Sequence, residues 1–202
     1  DSDFELHQLF CVDDFEYKDN ILPVLISNEE LKKISTLKTP NNVLAVFKIP
    51  SEQELIQNGL ILVLDEINDP GNLGTIIRLC DWFGVDQLVC SINTVDCFNA
   101  KVVQSSMGSL TRVSMVYTEL EAYLKSTELP KFATLMNAKS VYETKLPSTA
   151  VIVMGNEANG ISEKLLELLD NSISIPRFGK LQKTESLNVA NATAILLSEF
   201  RR

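Results

Sequence analysis

The chain has a single histidine, His7, among its 202 residues. Serine–histidine, cysteine–histidine and histidine-ligated metal mechanisms would all rest on that one imidazole, so none is the first reading. Four cysteines are present, Cys11, Cys80, Cys90 and Cys97, with no C-x-x-C pair among them. Cys80 and Cys90 sit in apolar runs. That pattern predicts buried free thiols in a reducing, cytoplasmic setting rather than a disulfide framework or a metal site. No apolar run approaches the roughly 18 residues of a membrane span, and no signal peptide is visible. The chain has no initiator methionine and begins amid acids, as a fragment or trimmed protein would. Positive charge is scarce: 18 Lys and Arg face 27 Asp and Glu, a net charge of −9. Such a balance disfavours coating nucleic acid or anionic membrane through bulk charge. What is present is a 45 % hydrophobic, 22 % charged mix, ordinary for a globular protein with a sizeable core.

Residues 1–50 differ from the rest. From Asp1 to Asp19 there are seven acids and one lysine. The apolar runs Leu22–Ile26 and Val43–Ile49 suit strands. Between them a helix is expected, with Asn28 as its cap. This predicts a small, partial α/β domain over 1–50. The polar stretch 51–59 reads as a linker ending at Gly59. From Leu60 onward, strands alternate with helices. LILVLDE (60–66) is a buried parallel strand by its continuous apolar run. After an Asp69-Pro70-Gly71 turn, Leu73, Ile76, Ile77, Cys80 and Phe83 have helical spacing, with Gly84 as a stop. Further strands are expected at 87–92, 112–117, 132–136, 150–154 and 172–175, and a last helix over Ser186–Phe200. The fold class is therefore α/β, a parallel sheet with helices on both faces.

Three loops stand near strand ends, where open α/β sheets bind ligands. The first is Asn68-Asp69-Pro70-Gly71-Asn72-Leu73-Gly74-Thr75, leading to Arg78. Its glycines leave backbone N–H groups free for a phosphate; read alone, it is equally a turn before an amphipathic helix with one solvated arginine. The second is Met154-Gly155-Asn156-Glu157-Ala158-Asn159-Gly160. Here Gly155 allows backbone to approach a ligand, and Glu157 is a lone carboxylate; a plain β-to-α connection fits as well. The third runs Ile175-Pro176-Arg177-Phe178-Gly179-Lys180 and continues to Ser186-Leu187-Asn188-Val189-Ala190, with Ser186 as a helix cap. Arg177, Lys180 and Lys183 form a cationic patch, with Phe178 able to stack on a base; a solvated loop is the plain alternative. No Gly-Lys-Ser/Thr or G-x-G-x-x-G element is present, and no metal-ligand spacing.

In this order, N-D-P-G-N-x-G-x-x-x-R, M-G-N-E-x-x-G and I-P-R-F-G…S-L-N-V-A resemble the SpoU (TrmH-like) family of RNA ribose 2′-O-methyltransferases, in the SPOUT superfamily. The resemblance covers 60–202; residues 1–50 resemble part of an L30e-like substrate-binding domain. It implies a deep C-terminal trefoil knot holding S-adenosylmethionine. Leu135, Met136, Asn137, Gly155, Ile175 and Leu187 would line the cofactor pocket. Asn72, Arg78, Glu157, Ser186 and Asn188 match the family's polar catalytic positions. Arg78, Arg177, Lys180 and Lys183 would meet the RNA. The family is typically dimeric, so a homodimer is implied, with no metal and no membrane. The nine residues 177–185 between I-P and S-L-N exceed the gap in many members.

The implied reaction transfers a methyl group to a ribose 2′-oxygen. A guanidinium is always protonated, so Arg78 serves as a phosphate clamp and stabiliser of developing charge rather than a base. Glu157 and Asn188 are expected to position Arg78 and the ribose, and Asn72 to shape its loop. The amino-terminal domain points to ribosomal RNA rather than tRNA. The different-class alternative is a non-catalytic RNA-binding or assembly factor on the same fold. The negative remainder of the chain predicts weak non-specific RNA binding.

Overall fold

The computed structural model describes residues 4–13, 22–181 and 186–202. The chain divides into two compact units, Asp1–Glu52 and Gln53–Arg202. In the first, β1 (Leu6–Cys11) lies between β2 (Val24–Leu25) and β3 (Val43–Phe47), parallel to β2 and antiparallel to β3. The central strand β1 escaped the sequence reading because its acidic surroundings masked the alternation of LHQLFC. Helix α1 (Asn28–Ile34) starts one residue earlier than expected. Ser27, not Asn28, is the cap: its hydroxyl accepts from Glu30 N while the Glu30 carboxylate accepts from Ser27 N, a reciprocal capping box.

The stretch expected as a linker is mostly part of the second unit. The buried Gln87 side chain accepts from Ile56 N and donates to Glu54 O. Leu55 and Ile56 pack against the core. Two apolar residues and a fixed backbone hold this segment down, and polar composition alone could not show that.

The second unit is a six-stranded sheet. Its strands are β4 (Leu60–Leu64), β5 (Gln87–Ser91), β6 (Met115–Thr118), β7 (Lys131–Ser140), β8 (Ala150–Met154) and β9 (Asn171–Ser174). Their order is β6-β5-β4-β8-β7-β9, with every pairing parallel. Strands β4, β5 and β8 are buried along their whole length, which is why they read as unbroken apolar runs. Side chains alternate across the sheet. Ile61, Val63, Val89, Val151 and Val153 face Leu120, Tyr123 and Leu124 of α4 (Leu120–Ser126) and Leu165 of α5 (Glu163–Leu166). On the other face Phe132 meets Phe200 of α6 (Val189–Phe200) edge to face, with centroids 5.4 Å apart. Helices thus cover both faces.

Helix α2 (Pro70–Phe83) packs on α6 and on α3 (Ala100–Ser106). Its buried stripe is Leu73, Gly74, Ile76, Ile77 and Cys80. Asp69 caps it and Pro70 opens it, so the expected Asp-Pro-Gly turn is the helix's first turn. Gly84 closes it in the left-handed region at φ 61°. The residue after α6, Arg201, donates Nε to Phe83 O (2.8 Å) and Nη2 to Gly84 O. The C-terminal ends of α2 and α6 are therefore neighbours. Their N-terminal ends meet as well, and that is where the site lies.

Candidate active site

The parallel course of α2 and α6 places two helix N-termini side by side. Asn188 is the cap of α6: its Oδ1 accepts from Ala190 N (3.0 Å) and Asn191 N (3.2 Å). This corrects the expectation that the helix starts at Ser186, which lies exposed two residues earlier. An amide caps here because its other end is also used. Asn188 Nδ2 donates to Asn72 Oδ1 at 2.9 Å, and Asn72 Nδ2 donates to Glu157 Oε1 at 2.9 Å.

Chemistry fixes the polarity of this relay. A carboxylate only accepts, so Asn72 must turn its NH2 to Glu157 and its oxygen to Asn188. Asn188 must then present NH2 to Asn72 and oxygen to the α6 amides. Three loops separated by 85 and 116 residues are locked by two bonds. The Glu157 carboxylate thus sits beside the N-termini of both helices, near Asp69, which caps α2.

An open cleft of about 570 Å³ lies over the relay, lined by Asn68, Asp69, Asn72, Asn156, Glu157, Ala158 and Asn188. Asn156 organises the Glu157 loop. Its Nδ2 donates to Glu66 O (2.7 Å), while its Oδ1 accepts from Ala158 N and Asn159 N. Its backbone pairs with Gly160 in both directions. Asn156 thus folds the Glu157 loop and pins it to the end of β4, where Glu66 has φ 56°. A further residue is Lys101 of α3, exposed, with Cε 3.9 Å from where a Cβ on Gly71 would stand. Nothing local in the sequence marks it, because only helix packing carries it there.

Two glycines serve the chain itself. A Cβ on Gly74 would stand 1.9 Å from Ser105 Oγ and 2.9 Å from Val102 O. This glycine lets α3 approach α2. A Cβ on Gly155 would stand 2.2 Å from Gly160 C and Ile161 N, so the backbone that approaches Gly155 is the loop's own return.

Other expected residues take their places around this centre. Leu135, Met136 and Asn137 lie in β7 where its register with β9 breaks, between Thr134 and Lys139. That stretch pairs in register with neither neighbouring strand. Ser174 Oγ donates to Ala138 O (2.8 Å) and holds the bulge. Ile175 is half-buried after β9, while Leu187 (51 %) and Met136 (56 %) are exposed. A bulge with backbone outside the ladder and apolar side chains facing solvent fits a flat heterocycle held by main-chain groups.

Arg78 stands apart. Six residues at 100° each place it roughly 120° round α2 from Asn72 and about 9 Å along the axis. It is exposed and makes no hydrogen bond or ion pair with the described residues. Glu157 and Asn188, expected to position Arg78, each hydrogen-bond Asn72 in this structure and not Arg78. Arg177 Nη2 lies 3.7 Å from Met136 Sδ, and Lys180 is exposed on the same loop. Lys183 lies outside the described residues. Among the described residues, no three His, Cys, Asp or Glu group as a metal site, and no helix is long and apolar enough to cross a membrane.

Comparison with known proteins places this geometry. The SpoU rRNA Methylase family matches residues 59–198. The 23S rRNA (guanosine(2553)-2′-O)-methyltransferase RlmP of Bacillus subtilis is 34 % identical over 181 residues, 88 % of this chain and 71 % of its own length. Three further curated relatives are spanned over 61 to 66 % of their length. A TrmH-family RNA methyltransferase structure from Porphyromonas gingivalis superposes with a TM-score of 0.87 at 36 % identity, covering 98 % of this chain and 83 % of that one. The fold is also that of AviRb from Streptomyces viridochromogenes, whose crystal structure contains AdoMet: TM-score 0.84, 23 % identity, 98 % and 83 % coverage. The chain belongs to the SpoU rRNA Methylase family.

Proposed function

We propose that this protein transfers a methyl group from S-adenosylmethionine to a ribose 2′-oxygen of structured RNA, with ribosomal RNA its substrate rather than tRNA. The observation that carries the reading is the Asn188–Asn72–Glu157 relay, which joins all three motif loops at two helix N-termini. The relatives' printed activities and the cofactor in AviRb support it.

The cofactor supplies a methyl group already activated on a sulfonium. The chain's own residues bind and align. The Leu135–Asn137 bulge, Gly155, Ile175 and Leu187 would hold the cofactor. Asn72, Glu157 and Asn188 keep the cleft's polar groups in one orientation, so no reorganisation is needed during reaction. Ser186 and Asn188 meet the ribose. Arg78 clamps an RNA phosphate and stabilises charge developing on the 2′-oxygen; its guanidinium keeps its proton, so the hydroxyl proton leaves to phosphate or water. Arg177, Lys180 and Lys183 add phosphate contacts.

The finer architecture belongs to the same proposal. The C-terminal part of the domain forms a deep trefoil knot, a reading supported by the family match over residues 59–198. Residues 1–50 serve as part of an L30e-like substrate-binding domain, and 60–202 form the methyltransferase domain. The protein acts as a homodimer. Four buried free thiols suit the cytoplasm.

Calorimetry with S-adenosylmethionine, paired with mapping of ribose methylation on ribosomal RNA, tests the reading. Arg78→Ala is expected to keep cofactor affinity and lose methyl transfer. Arg78→Lys keeps the charge, loses the bidentate fork and recovers little. A wild-type protein that binds RNA but no cofactor would instead be an RNA-binding factor on this fold.

A further inference from the structure

An exposed aromatic pair lies beside the site and has no role in the relay. Phe178, on the loop after β9, is 83 % exposed, and Tyr142 is 41 % exposed. Their ring centroids are 6.4 Å apart with planes inclined by 32°. The two come from segments 36 residues apart, and each is anchored. Tyr142 sits on a turn held by buried Val141, with its N–H donating to Ser140 Oγ (3.3 Å) and Thr144 Oγ1 donating to Ser140 O (2.7 Å). Next to Phe178, Arg177 reaches Met136 Sδ on the bulge.

The charge around the pair is one-sided. Lys139 and Lys145 flank Tyr142, Arg177 and Lys180 flank Phe178, and Glu143 is the only acid between Lys131 and Asn156. In a chain of net charge −9, this is a local exception. Rings presented to solvent among cations are the surface that stacks nucleobases while neighbours hold the phosphates.

We propose that Tyr142 and Phe178 form a stacking platform for an unpaired base of the substrate RNA. This rests on the function proposed above and adds a residue pair that selects single-stranded or flipped-out nucleotides at the site. Met136 and Leu187, also exposed, belong to the proposed cofactor pocket. Phe178 follows Arg177, whose Nη2 reaches Met136 Sδ on the bulge, and the stacked base is assigned to the RNA rather than to the cofactor.

The test measures binding of a labelled 12-nucleotide oligo(A) RNA at low salt, beside the same ribose-phosphate chain without bases. Phe178→Ala is expected to weaken oligo(A) binding roughly 5- to 100-fold, the loss typical of one stacked base. Tyr142→Ala weakens it in the same direction, and Phe178→Trp retains it. Binding of the abasic chain and of S-adenosylmethionine should not change in any variant. Equal oligo(A) binding by wild type and Phe178→Ala overturns the platform. So does an equal loss on the abasic chain, which would assign a backbone contact. Lost S-adenosylmethionine affinity would assign the rings to the cofactor instead and also overturns it. A wild type that binds no cofactor and methylates no RNA overturns the parent function, whatever the Phe178 result.

Discussion

Asn188 does two jobs with two atoms, and the jobs can be separated. Its Oδ1 caps α6, and its Nδ2 holds Asn72. Asn188→Ala loses both. A lost cap costs about 1 kcal/mol, and an exposed hydrogen bond adds roughly 0.5–1 kcal/mol. At about 2–4 °C per kcal/mol for a domain of this size, Tm should fall by roughly 3–8 °C. Asn188→Asp keeps an equivalent capping oxygen and adds a charge that the helix N-terminus favours by about 0.3–1 kcal/mol. It has no donor for Asn72, and it sets a second carboxylate near Glu157. Tm should stay within about 2 °C of wild type by the same conversion. Methyl transfer should still fall at least about 10-fold, because the relay is the alignment device and small misplacements cost up to about 100-fold. Differential scanning fluorimetry and a methyl-transfer assay read the two jobs independently. An Asn188→Asp protein with wild-type activity would refute the relay's role. One as destabilised as Asn188→Ala would refute the capping assignment.

Gly74→Ala should destabilise by about 1–3 kcal/mol in urea unfolding, the usual cost of overpacking. Adding Ser105→Ala should recover only part, because Val102 O still stands 2.9 Å from the new methyl group. Tyr123→Phe should match or exceed wild-type Tm, since the buried Tyr123 hydroxyl has no hydrogen-bond partner among the described residues and removing it ends an unmet desolvation cost. The Arg112 hydrogen bond holds the Asp81 carboxyl below its ordinary value of 3.8. The stability it contributes is therefore full above that value and lost as pH falls through the lower folded value. Wild type and Asp81→Asn should differ in Tm at neutral pH and converge in strong acid. The Cys97 thiol, pushed up to about 11 by burial, should react slowly with Ellman's reagent at pH 8 until the fold opens.

Much of this protein follows from its linear pattern. LILVL and AVIVM are strands buried on both faces because nothing polar interrupts them. Helix α2 is legible from Leu73, Ile76, Ile77 and Cys80, and its end from Gly84. Even the three loops are recognisable, since each pairs glycine or asparagine with charge at a strand end. Local misreadings came where side chains compete over one or two residues. Ser27 displaced Asn28 as a cap because Glu30 reciprocates. Asn188 displaced Ser186 because its amide offers both an acceptor for α6 and a donor for Asn72.

Tertiary structure decided which residues meet. No spacing could show that Glu157 and Asn188 converge on Asn72 and not on Arg78, because two bonds spanning 85 and 116 residues depend on α2 and α6 running parallel. Nor could it show that Gly74 and Gly155 are small for the chain's own close approaches, or that Tyr142 faces Phe178. The sequence by itself determined the elements and the chemical groups available, through hydrophobic period and residue type. Only the crossings of the sheet, which carry distant strand ends to one edge, decided which groups share a hydrogen bond.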